Sequence, residues 1–565
     1  MQIRFDTYYT NDELEERLRW LAQRYPDLCD LRVLGRSYEG RPIHLVVLTH
    51  KDTGADRDKP AFWVDGNIHA TEVTGAMAAL YLIRRLLEGY GRDARITRLL
   101  DEQTFYVVPR LNPDGAALAL SARPRFLRSG TRPYPWAEPE AGLHAEDIDG
   151  DGRILQMRIE DPAGTWKVSE RDPRLLVRRG IDEEGGIYYR LFPEGRVEDW
   201  DGWIIRTAPP LEGLDFNRNF PGSWRPEGDQ RGAGDFPGSE PEIRAVLEFM
   251  AEHRNIFGAI TFHTFSRAIL RPFGTRDDKE MEADDLRVYE EIGERGTELT
   301  GYPCVSVYHH FKYHPKEVIT GVFDDWIYDH KGVFSFTVEL WDLPSAAGVE
   351  WKNREKKFIE WFRKHPVEDD YRILDFVQRN APDALVEWYR FDHPQLGRVE
   401  LGGWNAMYSW RNPPPQLLEK EIAPQADFAI SFASLAPRIA WRAVEVTPID
   451  EEHVRLLAVV ENVGFLPTDV SRQARKRKAV RKPRFELELP ESVEIVTGRR
   501  RLEFEPLEGR SNKLSCFSIW SDSSTDNRIK AEWVLRRRDP DAAVVLLVIT
   551  ERAGVLRREI PLGAG

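Results

Sequence analysis

The octet Asp65-Gly66-Asn67-Ile68-His69-Ala70-Thr71-Glu72 sets an imidazole and a carboxylate three residues apart. It lies between an apolar run at 61–64 and a longer one at 75–87. The first reads as a buried strand, the second as a helix too apolar for the surface. His69 and Glu72 therefore fall where a strand ends and a helix begins, the place where ligands collect in open α/β folds. Imidazole and carboxylate are zinc-ligand types, although His-x-x-Glu alone is usually a solvated turn. The three cysteines, Cys29, Cys304 and Cys516, are far apart. A metal here must be held by histidine and carboxylates, not by a cluster of thiolates.

Two further carboxylate patterns could do chemistry. Residues 333–341 alternate, with Phe334, Phe336, Val338 and Leu340 on one face and Ser335, Thr337 and Glu339 on the other. Glu339 ends the polar face of that strand. Asp147-Ile-Asp149-Gly-Asp151-Gly152-Arg-Ile154 has the form of the first half of an EF-hand loop, so calcium is an expectation there. The twelfth position is Arg158, not the bidentate Glu of such loops, with Glu160 or Asp161 as substitutes; the competing reading is an acidic turn.

The elements that must position these groups follow from local pattern. A helix is expected at 11–25, with Asn11 as its cap, and strands at 31–35, 43–48 and 104–109. Asn112-Pro-Asp-Gly115 is a turn signal. A helix at 241–252 precedes a strand at 257–262 that ends on His263, and a helix at 367–379 follows. Residues 130–214 are rich in Pro, Gly and charge and read as a surface insertion without a core of its own. A Pro- and Trp-rich connector spans 386–425. From 426 to 565 short strand-like runs separated by turn signals read as a β-sandwich.

At 565 residues the chain is too long for one core. A net charge of −14 argues against nucleic-acid or anionic-membrane partners. The basic run at 472–484 has no interleaved aromatics and reads as a solvated loop. The N-terminus lacks the apolar segment of a signal peptide, no stretch is apolar enough to span a bilayer, and cysteine is sparse. A cytoplasmic location is the expectation.

The ordered motifs Gly35-Arg-Ser-Tyr-Glu-Gly-Arg-Pro-Ile43, His69-x-x-Glu72, Asn112-Pro-Asp-Gly115, Asp215-Phe-Asn-Arg-Asn219 and Asp325-Trp326 followed by Ser335-Phe-x-x-Glu339-Leu resemble the zinc carboxypeptidases related to carboxypeptidases A and B. The resemblance covers about residues 5–380, insertion excluded. It implies an α/β catalytic domain at 1–385, with a mixed β-sheet flanked by helices. It implies one zinc ion held by His69, Glu72 and His263, with Glu339 as general base and Arg128 polarising the scissile carbonyl. Arg123 and Arg125 leave the register of Arg128 open by a residue or two. Asn217 and Arg218 would bind the free carboxylate of a peptide, and Asp215 would accept the other N–H of a zinc-bound histidine. Asp324 falls at the floor of the pocket for the terminal side chain and resembles carboxypeptidases that remove Lys or Arg, against a competing reading as a helix cap.

Two family residues do not carry over. The loop tyrosine falls on Glu317, with Tyr313 nearby, and the arginine between the zinc-motif His and Glu is replaced by Thr71. His309, His310 and His314 read as loop residues at the cleft mouth. The first helix starts almost at once, so an enzyme made active, without the family's inhibitory propeptide, is the expectation. The expectation is a zinc metallocarboxypeptidase acting on peptide or protein C-termini. The alternatives are a zinc amidohydrolase of isopeptide, D-amino-acid or cell-wall peptides, and a non-catalytic peptide-binding protein.

Overall fold

A computed structural model describes residues 1–312, 316–350, 361–513, 516 and 524–563. Tyr313 and His314 lie outside the described residues. The catalytic part is built on an eight-stranded mixed sheet in the order Cys29–Arg36, Pro42–Leu48, Thr104–Val108, Ala61–Gly66, Ile256–Thr264, Phe334–Leu340, Ala268–Arg271, Cys304–Ser306. The middle four strands run parallel, and every residue in them is buried. Strands covered on both faces can afford unbroken apolar runs, which is why 61–64 and 104–108 show no alternation.

Side chains of these strands feed two cores. Phe62, Val64, Phe334, Phe336 and Val338 pack on the helices Thr74–Gly89, Ala283–Thr300 and Leu418–Ala433. Trp63, Ala259 and Val108 pack on the other face, against Pro241–Glu252 and Phe323–Lys331. The helix Thr74–Gly89 lies close to the strand ends because of two glycines. A Cβ on Gly66 would stand 2.5 Å from the Gly75 carbonyl oxygen, and one on Gly75 would stand 2.7 Å from that of Phe262.

Several local expectations change. The first helix is capped by Thr10 in a capping box with Glu13, not by Asn11, whose amide instead reaches the Pro113 carbonyl. Asn112-Pro113 opens a short helix, Pro113–Ala119, with Asn112 accepting from Gly115 N. The insertion is not a coreless surface loop. Its strands Gln156–Glu160, Tyr189–Pro193, Trp166–Val168 and Leu176–Arg178 continue a sheet begun by the connector strands Leu385–His393 and Gly397–Trp404. Leu143, Met157, Val197, Val399 and Leu401 form its buried centre. Each partner alone has too little apolar surface to stand as a sheet, so the unit exists only by pairing across a long stretch of sequence.

The helix Leu418–Ala433 crosses the expected start of the sandwich and buries Ile422, Phe428 and Phe432 in the first core. The sandwich follows as two four-stranded antiparallel sheets, Ile439–Pro448 to Val493–Thr497 and Arg501–Glu503 to Gly554–Pro561, around Leu456, Phe485, Trp533 and Leu546. The basic run is not a solvated loop. Arg472–Arg477 is a helix capped by Ser471, with Arg472 and Lys476 paired to Asp284 and Glu282 of the catalytic part. Its backbone donates to the buried Asp285 carboxylate, and Ser471 Oγ donates to the Gly332 carbonyl. Among the described residues no helix is long and apolar enough to cross a membrane.

Candidate active site

Three adjacent parallel strands end in a row, and each delivers one group to the same point. Ala61–Gly66 runs into His69 and Glu72, Ile256–Thr264 carries His263, and Phe334–Leu340 carries Glu339. Register fixes the neighbours: Phe262 pairs with Gly66, and His263 pairs with Glu339. Asn67, at φ 56°, turns the chain out of its strand, and its side-chain amide donates to the His69 carbonyl.

His69 Nδ1 lies 3.0 Å from Glu72 Oε1, and His263 Nδ1 lies 3.2 Å from Glu72 Oε2. The two Nδ1 atoms are 3.1 Å apart, and all three side chains are about 2% exposed. Two imidazole nitrogens and a carboxylate aimed at one buried point are a donor set for a cation. Two imidazoles and one carboxylate are also the protein ligands of catalytic zinc, which keeps a further position open. Burial alone would push the Glu72 carboxyl up, but the charge of His69 and hydrogen bonds from both histidines hold it well below the usual carboxylate range.

The outer groups are in place. Asp215 Oδ1 lies 3.1 Å from His69 Nε2, where a carboxylate fixes the tautomer that leaves Nδ1 for a metal. Burial opposes the Asp215 charge, yet Arg128, Arg218 and His69 together hold its carboxyl well below the usual range. Arg128 donates to Asp215 at 2.9 Å and to Glu72 at 3.0 Å. Arg125 instead pairs with Glu212 of the insertion and Arg123 is exposed, so of the three arginines Arg128 is the one that pairs with Glu72 and Asp215. Burial pushes the Glu339 carboxyl up to about 7, the range suited to a group that takes and returns a proton.

Asn217 and Arg218 form a buried 3-10 turn after Asp215. Asn217 Oδ1 accepts from Phe323 N, and Arg218 Nη1 donates to the Asn217 carbonyl. Among the described residues no carboxylate pairs with Arg218. Asp324 is 3% exposed, on the first turn of Phe323–Lys331, and Val322, not Asp324, is the cap of that helix. Burial raises its carboxyl, and the charge of His263 reaches it. Thr337, two residues before Glu339, lies 3.4 Å from it.

The Asp147–Asp151 loop is different. The three carboxylates lie within 4.8 Å of one another but are half-buried to exposed. Asp147 accepts from Gly150 N and Gly152 N, Asp149 from Asp151 N and the Tyr389 hydroxyl, and Asp151 from Arg153. Arg158, at the twelfth position, pairs with Glu400. His309 and His310 end the short helix Val307–His310, and Glu317 is exposed.

Sequence reasoning missed one segment of the site. Asn412 is fully buried, donates to the Thr71 carbonyl at 2.7 Å and accepts from Thr74 N and Oγ1. Trp341 Nε1 donates to the Ser409 carbonyl at 2.7 Å. The connector is thus tied both to the His69–Glu72 loop and to the end of the Glu339 strand, and it brings Arg411 near enough for its charge to act on Glu339. The only signal was a polar Arg-Asn pair inside a Trp- and Pro-rich stretch.

A buried His-Glu-His cluster at parallel strand ends, faced by a carboxylate and an arginine, is a site of the mononuclear metallohydrolase kind. The chain matches the sequence model of the zinc carboxypeptidases, peptidase family M14, over residues 14–155 and 166–355, and it belongs to that family. Residues 438–561 match a domain of unknown function, DUF8731. Carboxypeptidase A1 of Sus scrofa is 22% identical over 347 residues, which is 60% of this chain and 63% of that protein. Carboxypeptidase B2 of Rattus norvegicus is 24% identical over 354 residues, 60% of this chain and 64% of that protein. The crystal structure of carboxypeptidase A from Helicoverpa armigera aligns with a TM-score of 0.42 at 17% identity, covering 67% of this chain and 74% of that one. The chain therefore spans just under two thirds of the length of the first two relatives, and membership rests on the family match.

Proposed function

We propose that the protein is a zinc-dependent carboxypeptidase that removes the C-terminal residue of peptides, with a preference for Lys or Arg. The observation that carries this reading is the meeting of His69, Glu72 and His263 at one buried point, with Glu339 in register beside His263. Zinc held by those three residues would polarise a carbonyl and make water more acidic. Glu339, deprotonated, accepts a proton from water and returns it to the leaving amine. Arg128 offers its charge to the developing oxyanion. Arg218, with Asn217 beside it, receives the substrate's free carboxylate by paired hydrogen bonds, which selects the chain end.

The Lys or Arg preference is supported by Asp324, a buried carboxylate that makes no ion pair with Lys or Arg among the described residues. A cationic side chain would supply the missing charge, whereas an apolar one would leave it unpaired. A second reading, hydrolysis of branched or modified peptides, is favoured by Thr71 and Glu317 at the two positions where family residues do not carry over. A reducing, cytoplasmic location is part of the proposal, supported by three free cysteines. No contact in the Asp147–Asp151 loop favours calcium over the hydrogen bonds already made there.

The test is zinc content together with hydrolysis of peptides ending in Arg, Phe, Glu or D-Ala. Release of Arg ahead of Phe supports the whole reading. Zinc present without release from any peptide overturns the carboxypeptidase reading and directs attention to branched substrates.

A further inference from the structure

Arg110, just beyond the strand Thr104–Val108, is a guanidinium only 4% exposed. Its Nε donates to Asn67 Oδ1, its Nη1 to Asn11 Oδ1 and its Nη2 to the Tyr9 carbonyl, all neutral acceptors. A guanidinium has five N–H groups. Two are therefore left, one on Nη1 and one on Nη2, with no partner among the described residues. Glu13 acts on Arg110 through its charge without pairing to it, and Glu13 is itself held by Thr10 in the capping box. A charge buried without an ion pair is costly, and an anionic ligand would offset that cost.

Arg110 lines a pocket of about 360 Å³ between the helices Asn11–Arg24 and Pro113–Ala119 and the start of the strand Pro42–Leu48. Leu14, Leu18, Ala117 and Leu120 make its apolar wall. The other charged groups of the pocket differ in how far they are engaged. Arg41 pairs with Glu39 and Asp114, and Glu15 with Arg19 and His44. Asp12, exposed on the first turn of its helix, makes no ion pair among the described residues. An unpaired cation and an unpaired anion thus share one small pocket with an apolar wall. Its volume is at the low end for ligand sites and suits a molecule the size of an amino acid. A simple anion would bring its charge toward Asp12 and Glu15, whereas a zwitterion presents an ammonium group to them.

We propose that this pocket binds a free α-amino acid with an apolar side chain. Its carboxylate meets the two remaining N–H groups of Arg110, a charge-assisted pair. Its ammonium group faces Asp12, and its side chain covers Leu14, Leu18 and Leu120. The site does not rest on the carboxypeptidase reading, although a free amino acid is also what that reaction releases. Arg110 ties the pocket to Asn67, whose amide holds the His69 carbonyl, so the pocket and the metal loop share a chain of hydrogen bonds.

The test is calorimetric titration of the zinc-loaded full chain carrying Arg218→Met, which removes the arginine proposed to hold a substrate's terminal carboxylate. L-Leucine is compared with leucinamide, which lacks the carboxylate, and with 4-methylpentanoate, which lacks the ammonium group. Leucine is expected to bind once per chain. Leucinamide should bind about ten- to hundredfold more weakly, the range of a charge-assisted hydrogen bond. 4-Methylpentanoate should bind about two- to fivefold more weakly, the range of an exposed ion pair. Asp12→Asn, at an exposed position, should bring leucine and 4-methylpentanoate to the same affinity. That ratio is taken within one variant, so partial loss of folded protein does not affect it. Arg110 also holds Tyr9, Asn11 and Asn67, so the pocket is closed by Ala117→Phe instead, which should abolish binding. Leucinamide binding as tightly as leucine overturns the proposal, as does leucine binding undiminished by Ala117→Phe or no saturable binding at millimolar leucine. Inorganic phosphate competing as well as leucine also overturns it, since the pocket would then select for negative charge alone.

Discussion

Two groups of metal-ligand side chains in this molecule lie within the same distance range and differ in their surroundings. His69, Glu72 and His263 converge with their donor atoms turned toward one another in a dry place. Asp147, Asp149 and Asp151 are as close together, but their oxygens are taken by turn amides, the Tyr389 hydroxyl and Arg153. Proximity of ligand types is therefore a poor criterion for a metal site. What separates the two is burial and ligand type: the first is about 2% exposed and holds two imidazoles, the second is half-buried to exposed and made of carboxylates alone.

The largest effect should come from the group that acts beside the buried cluster. Glu339→Gln should lower kcat by about 10²–10⁴-fold while zinc content stays at one per chain. A fall of less than tenfold would place the general base elsewhere. The acid limb of kcat/KM should follow the same carboxyl. Glu339 must be deprotonated to accept a proton, so activity should rise as pH passes upward through its pKa, about 7 in the metal-free protein and lower with a cation beside it. The limb should disappear from the residual activity of Glu339→Gln.

Next in size is the support of the cluster. Asp215→Asn keeps the shape but weakens the hold on His69 Nε2, and should reduce zinc affinity by about 10–100-fold in a chelator competition. An unchanged affinity would mean that His69 is oriented by its backbone alone.

A third carboxylate sharpens the comparison by falling between the two cases. Glu242 is 1% exposed, accepts from Tyr38 N with one oxygen and, among the described residues, has no hydrogen-bond partner for the other. Burial raises its carboxyl to about 7. The folded state then holds a proton that the unfolded chain has released, so this group makes stability fall as pH rises from about 4.5 to about 7. Glu242→Gln should remove that fall and add on the order of 1–3 kcal/mol above pH 7 in denaturant unfolding. No gain at pH 8 would show that the carboxyl is charged and solvated in the fold. The smallest effect should be at the other acidic loop, where millimolar calcium should leave the melting temperature of the zinc-loaded protein unchanged. A clear rise would reverse the ranking of the two clusters.

The strands that carry the candidate groups were legible because they are buried on both faces and the helix after the first of them is buried along most of its length. His69, Glu72, Asp215 and Glu339 each sit in a short ordered motif. The insertion sheet was hidden for a different reason. Its strands Trp166–Val168 and Leu176–Arg178 are three residues long and half-covered, and Gln156–Glu160 pairs with Gly397–Trp404 from far along the chain. No local pattern encodes a partner that distant. Arg411 was hidden with it, since its place depends on how Asn412 meets Thr71. The docking of Arg472–Arg477 was masked by composition, because a run of basic residues reads the same whether it faces water or, as here, the acidic groups Asp284 and Glu282.

The first apolar core has a consequence for how the protein is made. It takes in Leu80 and Phe262 and also Ile422, Phe432, Leu466 and Val470. Arg552, in the turn before the last strand, donates to the carbonyls of Lys331 and Gly332, just ahead of the strand that bears Glu339. On a ribosome the nascent chain would have His69, Glu72 and His263 long before it could close the core around them. The half of the chain that carries the candidate site stays unfinished until the C-terminal half has been translated, so the order of synthesis itself delays its folding.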